Sequence, residues 1–371
     1  MALILHVGDG KCGSSALQDS LHISRDYLFD KGFLYETGPK RRNHFLVGNL
    51  LGKKTRSLEV NQDTSAREIL EAVAQRSKGV SHTIISSENL FLTDPDKVLS
   101  LLRDYKIDTT EIYVIAYVRE PTSMYASLIQ QELKASYRFQ RPQDYCRPID
   151  RFASLWKDAV GADSFDLRLF DRKRLVEGSI ISDFTAWLNQ VISGAGINLP
   201  RRESNGSVSA EQLISLQRMR KDLPNHIEGK FHPKSNAIIS AFMQMNKSGI
   251  IGNKVKLNHA TRETILLKNT GVAKRINDMV KEDFFPVADQ ATKPSHNMKG
   301  VEQENVSDVS VVLDNVDTNL VELFSRVITD QGATSERSQL VLRSGENASK
   351  REAVLRGLTF LDESVFTPRN S

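Results

Sequence analysis

The first fifteen residues constrain the fold more than any other stretch. Leu3-Ile4-Leu5-His6-Val7 is a short, mostly apolar run that stops at Gly8-Asp9-Gly10, the pattern of a buried strand. Ser14 and Ser15 stand where a helix N-cap sits, and Leu17, Leu21, Tyr27 and Leu28 follow at near-helical spacing. The opening is therefore strand, glycine-rich turn, helix. The alternation continues, with strands expected at 83–87, 112–118 and 165–169 and helices near 44–51, 65–76, 94–105, 122–136 and 179–191. Strands alternating with helices predict an α/β domain, its sheet P-loop-like, doubly wound, mostly parallel and flanked by helices. A helical portion follows from 209 to 284, broken at Pro224, Pro233, Gly249 and Gly252. Ligands of such sheets bind outside the carboxyl ends of the strands. Residues 8–15, 86–88 and 119–127 all fall there.

At roughly 150 residues per domain, 371 residues predict two domains or one large domain with appendages. The composition changes after Phe284-Phe285-Pro286. Residues 289–310 are polar, 311–328 fit one amphipathic helix, and only Phe324, Phe360 and Phe366 are aromatic in the last 83 residues. The expected division is an α/β domain over 1–288 and, over 289–371, a polar linker and loosely attached tail with one helix. Charge divides at the same place: 41 Lys/Arg against 33 Asp/Glu before it, 9 against 13 after it. A net charge of +4 is too slight to argue for nucleic acid, but the basic body favours an anionic ligand. No apolar run approaches the roughly 20 residues of a transmembrane helix. The start lacks the basic flank and cleavage site of a secretory signal, so a cytoplasmic protein is expected. Cys12 and Cys146, the two cysteines, are too few for a disulfide scaffold or a cysteine zinc cluster and suit a reducing compartment.

Two constellations carry chemistry. Gly8-Asp9-Gly10-Lys11-Cys12-Gly13-Ser14-Ser15 joins strand to helix, so backbone N–H groups and the helix N-terminus are available to a phosphate or sulfate. A nucleotide-triphosphatase loop reads G-x-x-x-x-G-K-[ST]; here the lysine comes two residues before the glycine, and the Walker pattern fails. The second constellation is Arg119-Glu120-Pro121 with Ser127, an arginine at a strand end and a hydroxyl two turns into the next helix. Guanidinium and hydroxyl in that order suit one phosphate.

Together, in this order and about 110 residues apart, the two motifs resemble sulfotransferases that use 3'-phosphoadenosine 5'-phosphosulfate (PAPS). Lys11-Cys12-Gly13-Ser14-Ser15 with Leu17-Gln18 is similar to the 5'-phosphosulfate loop K-[TS]-G-[TS]-[TS]-x-L-Q of the bacterial carbohydrate-type branch. Cys12 departs from it by replacing a hydroxyl donor. Tyr117-Val118-Arg119-Glu120-Pro121 through Ser127 resembles the family's 3'-phosphate segment, with Glu120 and Met124 differing. Ile84 to Glu88, Arg168 to Leu175 with Asp183-Phe184, and Asn205 to Ser209 add to the likeness, which covers residues 1–288. The resemblance implies that Gly10, Lys11, Cys12, Gly13, Ser14, Ser15, Arg119 and Ser127 bind PAPS, and that no metal is needed.

It also implies in-line sulfuryl transfer to a carbohydrate or glycolipid acceptor, with Lys11 neutralising charge on the departing phosphate. Glu88, at a strand end on the same sheet edge, is the expected general base. His44, in Lys40-Arg41-Arg42-Asn43-His44-Phe45, is the rival, and His6 reads as a core histidine. Arg41, Arg42, Arg138 and Arg141 fit either an anionic acceptor or a solvated surface. Arg201, Arg202 and Asn205 are weaker candidates for the 3'-phosphate. Two other readings stand beside the enzyme: a non-catalytic nucleotide- or glycan-binding protein on a degenerate sulfotransferase fold, favoured by Cys12 and the unusual 83-residue tail, and a P-loop kinase. A kinase needs a strand-end Asp for magnesium, where this chain has Arg119.

Overall fold

The computed structural model describes residues 1–38, 41–53, 62–202, 207–221, 223, 226–227, 230–231, 233–247, 252–288 and 308–329. The chain divides into two compact units. The first comprises Met1–Pro121, Cys146–Ser204 and Asn269–Val287, the second Thr122–Tyr145, Asn205–Lys268 and Ala288–Ser371.

The first unit is built on five parallel strands: β1 (Ala2–His6), β2 (Phe33–Leu34), β3 (His82–Ser86), β4 (Glu111–Val118) and β5 (Phe165–Leu169). They lie in the order β2-β3-β1-β4-β5, every pairing parallel. Every residue of β1 is buried, as a strand inside a parallel sheet must be when helices cover its faces. From β1 the chain passes to the edge strand β2, returns to β3 beside β1, and then crosses to β4 and β5 on the other side. The order reverses beside β1, which opens a crevice at the carboxyl ends of β1 and β4.

The connecting helices of this unit are α1 (Ser14–Ile23), α2 (Arg25–Asp30), α3 (Val47–Leu50), α4 (Gln62–Ser77), α5 (Pro95–Asp104), α7 (Ile149–Val160) and α8 (Ile180–Val191), while α6 (Pro121–Ala135) belongs from Thr122 onward to the second unit. Their ends follow local chemistry. Asp94 caps α5 by accepting from Asp96 N–H at 3.0 Å, with Pro95 in the first turn where its missing N–H costs nothing. The α/β class, the parallel sheet and its flanking helices are as the sequence pattern predicts. The helix expected over 44–51 is shorter: residues 45–46 form a turn and only Val47–Leu50 is helical. The helix after the first loop is also two, parted at Ser24.

The core of this unit joins Leu3, Leu5 and Val7 of the first strand segment to Val114, Ala116 and Val118 of β4 and to Trp156 of α7. Trp156 is fully buried, and its indole N–H donates to Phe91 O at 3.1 Å. Tyr117 and Arg168 both donate to the buried Asp183, at 2.9 and 2.8 Å, and Asp183 Oδ2 accepts Val176 N–H at 3.2 Å. This network clamps β4, β5 and α8 and gives Arg168 and Asp183, two residues of the likeness, a structural task.

The second unit contains α9 (Ala210–Lys221), the short hairpin β6 (His226–Ile227) and β7 (Lys230–Phe231), α10 (Pro233–Lys247), the first part of α11 (His259–Val280), and α12 (Thr318–Thr329). The expected 311–328 helix is broken. A 3₁₀ turn, Val309–Val312, precedes Asn315, whose φ is 53°, and α12 starts at Thr318. Val309, Val312, Leu313, Val321 and Phe324 are all buried, and α12 packs on α9. The rest of the expected tail, 289–307 and 330–371, lies outside the described residues. No helix among the described residues is long and apolar enough to cross a membrane.

Candidate functional site

Parallel register sets the ends of β1 and β3 level, and β4 runs on to Val118 alongside the loop that follows β1. His6 pairs with Ser86 on one side and Ile115 on the other, Ser87 N–H donates to His6 O at 2.9 Å, and Asp9 N–H donates to Tyr117 O at 2.8 Å. The segments after β1, β3 and β4 thus emerge together, and they carry Lys11, Glu88 and Arg119.

Lys11 has φ 64° and Gly13 φ 77°, and α1 begins at Ser14 with no side chain capping its first turn. Backbone N–H groups at an uncapped N-terminus are left for an external acceptor, and the helix dipole favours a negative one. Gly13 is required twice over, by its positive φ and by a Cβ that would lie 2.8 Å from Phe170 Cε2. Gly13→Ala should therefore destabilise the unit by about 1–3 kcal/mol, read as a lower melting temperature.

Arg119 braces the loop. Its Nη1 donates to Lys11 O at 3.3 Å, and the guanidinium lies over the Phe170 ring at 5.8 Å. Lys11 is exposed, yet partial burial of its ammonium and the nearby Arg119 hold its pKa below the ordinary lysine value, while Glu88 acts in the opposite direction. Glu88 opens the 3₁₀ turn Glu88–Leu90, and Oε2 accepts from Gln18 Nε2 at 2.9 Å. Lys11, Glu88 and Arg119 are therefore one electrostatic cluster. Ser15 is exposed beside them, Ser14 is buried, and Gly10 is half-buried. Ser127 lies on α6, in the second unit.

The Cys12 side chain is 1% exposed, and burial pushes its thiol well above the ordinary range. An inward-facing side chain takes no donor from the open side of the loop. Beneath the loop, Asp9 is buried, bonded to Arg147 through both carboxylate oxygens, and accepts Gly10 N–H at 2.9 Å. Burial raises the Asp9 pKa, opposed by Arg147 and the Gly10 N–H. Arg147 is 138 residues from Asp9, and nothing in its own neighbourhood of sequence marks it as a partner of the loop.

His44 is not brought into this cluster. It is fully buried; Ser86 N–H donates to Nδ1 at 3.2 Å, so the proton sits on Nε2, which donates to Glu36 O at 2.8 Å. Both nitrogens serve backbone groups. Burial lowers its pKa to about 4. His6 is a core histidine, bonded through Nδ1 to Ser86 Oγ at 2.8 Å, its pKa lowered by burial to about 3. Both rings are neutral when folded and take up protons on unfolding below the ordinary histidine value of 6.5. The unfolded state then binds more protons, so stability is full above pH 6.5 and is lost as pH falls toward about 4 for His44 and about 3 for His6. Melting temperature should drop between about pH 7 and pH 4.5, and less steeply in His44→Gln, whose amide retains one donor and one acceptor.

The candidate arginines are tied locally. Arg42 pairs with Asp19 at 2.9 Å, Arg141 with Asp144 at 2.6 Å, and Arg201 with Glu177. Arg138 stacks on Tyr137, Arg41 N–H donates to Gly38 O at 3.5 Å, and Arg202 is exposed. Asn205 lies outside the described residues. Among the described residues no group of three or more His, Cys, Asp or Glu side chains is placed to hold a metal ion.

No family model matches the chain. No curated protein matches it either. Among solved structures it is similar to a sulfotransferase domain from the Synechococcus PCC 7002 olefin synthase, at 15% identity, over 58% of this chain and 76% of that one, with a TM-score of 0.27. A likeness that distant carries none of the reading below.

Proposed function

We propose that this chain is a sulfotransferase that moves a sulfuryl group from PAPS to a hydroxyl or amine of a carbohydrate or glycolipid. The observation that supports it is the meeting of an uncapped helix N-terminus, Lys11, Arg119 and the Glu88 carboxylate at the crevice of a parallel sheet. When bound, PAPS supplies a sulfuryl group already activated as a phosphosulfate. Lys11, Gly13, Ser14 and Ser15 would hold that group through backbone N–H and hydroxyl donors, while the Gly10 N–H, given to Asp9, would hold the loop in shape. Arg119 would read the 3'-phosphate. Lys11 offsets negative charge as it builds on the departing phosphate oxygen, a term that grows toward the transition state and so speeds the step. Glu88 takes the proton of the attacking hydroxyl. Both ring nitrogens of His44 are bonded to backbone, which supports Glu88 rather than His44 as the base. The carbohydrate-type acceptor rests on the sequence motifs.

Incubation with sulfur-labelled PAPS and a panel of glycans and glycolipids tests this reading. Label should move to an acceptor as adenosine 3',5'-bisphosphate appears. Donor binding without transfer to any acceptor would favour the non-catalytic binding protein, and absence of donor binding would overturn both.

A further inference from the structure

We infer that Gln18 is a positioning residue that fixes the Glu88 carboxylate so that its charge acts on Lys11, an inference that takes its catalytic meaning from the sulfotransferase reading. Gln18 sits in the second turn of α1 and is 1% exposed. Its Nε2 carries two hydrogens, and both are used: one goes to Ser86 Oγ at 3.2 Å, the other to Glu88 Oε2 at 2.9 Å. Its Oε1 accepts from Asn43 Nδ2 at 3.1 Å. The amide orientation is fixed by this set, because the flipped form would set its oxygen against the Glu88 carboxylate and its hydrogens against those of Asn43.

Each anchor is itself held. Ser86 Oγ bonds His6 Nδ1 at 2.8 Å, and Asn43 Oδ1 accepts Phe45 N–H at 3.2 Å. Gln18 therefore ties the helix that follows the loop to the end of β3 and to the turn before α3. A carboxylate at a sheet edge has three side-chain torsions to explore, and an uncharged donor restrains it while leaving its charge undiminished. Arginine or lysine at position 18 would neutralise that charge. The charges that act on Lys11 are Arg119, which opposes its ammonium, and Glu88, which supports it. The Glu88 charge also reaches Tyr35, buried beside Ser86, and Cys12 under the loop, while Asp19 acts on Tyr35.

Lys11 is the reporter. Its titration, followed by NMR of the labelled side chain in the full chain, should be compared in wild type, Gln18→Met, Glu88→Gln and the double variant. Met keeps the length and removes the donors; Gln18→Leu is measured alongside, so that a folding failure of one leaves the other. Gln18→Met should lower the Lys11 midpoint by about half a pH unit or more, as a supporting negative charge swings away. Glu88→Gln should lower it as well, and adding Gln18→Met to Glu88→Gln should change nothing further, because Gln18 acts through Glu88. An unmoved midpoint in Gln18→Met, or the same drop in the Glu88→Gln background, would overturn the inference. The measurement needs neither donor nor acceptor, so it can fail while the sulfotransferase reading stands, and the labelled-transfer assay can fail while it succeeds.

Discussion

Lys11→Ala should lower sulfuryl transfer by about a hundredfold or more, the loss seen when a preorganised charge-stabilising donor is removed, with the fold unchanged. The fold should survive because Lys11 is exposed, so its removal opens no cavity. Alanine meets the positive φ no worse than lysine does, both having a Cβ. The loss should appear in kcat more than in donor affinity, since the backbone N–H groups and Arg119 remain to hold the donor while the charge that develops in the transition state goes unmatched. Glu88→Gln should cut kcat on a similar scale by removing the proton acceptor. His44→Gln should leave kcat close to wild type under conditions where chemistry limits the rate. The reverse pattern would exchange the two roles.

Ending the chain after Val287 should unfold the second unit, despite the polar character of what is removed. Val309, Val312, Val321 and Phe324 are 0–3% exposed, and Phe324 meets Phe242 edge-on at 5.6 Å. At about 1.5–3 kcal/mol for each large apolar side chain fully buried, these four rival the roughly 5–15 kcal/mol that holds a whole domain together. Polar groups would be stranded too. Gln217 Oε1 accepts Val309 N–H at 2.8 Å, buried Glu211 accepts Asp317 N–H at 3.2 Å, and Ser215 Oγ donates to Val321 O at 3.1 Å. Circular dichroism and hydrogen exchange should show loss of protection in α9, whereas a chain ending after Thr329 keeps all these contacts and serves as control. An unchanged melt after truncation at 287 would restore the loosely attached tail that composition suggests.

Particular residues show what could be read in advance. β1, β4 and the loop between β1 and α1 were legible because apolar runs and glycine punctuation are local signals. β2 and the β6–β7 hairpin have two residues per strand, too short for any period to show. α7 was there to be found in Ile149, Ala153 and Trp156, spaced for one buried face. In the tail, low aromatic content over 83 residues points to weak attachment, whereas the burial of Val309, Val312, Val321 and Phe324 is a local feature that such an average does not register. The site divides the same way. Lys11, Gly13, Glu88 and Arg119 carry their signal in motif and strand-end position. His44 does not: set among arginines it reads as exposed, and only the backbones of Glu36 and Ser86 show it to be internal. Gln18 and Arg147 act on partners 70 and 138 residues away, so their tasks follow from topology alone.

Titration calorimetry with adenosine 3',5'-bisphosphate and AMP, on wild type and Arg119→Ala, tests the central claim most directly. Wild type should bind the bisphosphate about a hundredfold more tightly than AMP, a difference of roughly 2.7 kcal/mol. Arg119→Ala should cost the bisphosphate about 2–4 kcal/mol, the range for leaving one charge of a pair unmatched, and should weaken AMP far less, by no more than the loss of the bond to Lys11 O. Equal affinity of wild type for the two nucleotides, or equal weakening of both by Arg119→Ala, would contradict a site built to read a 3'-phosphate.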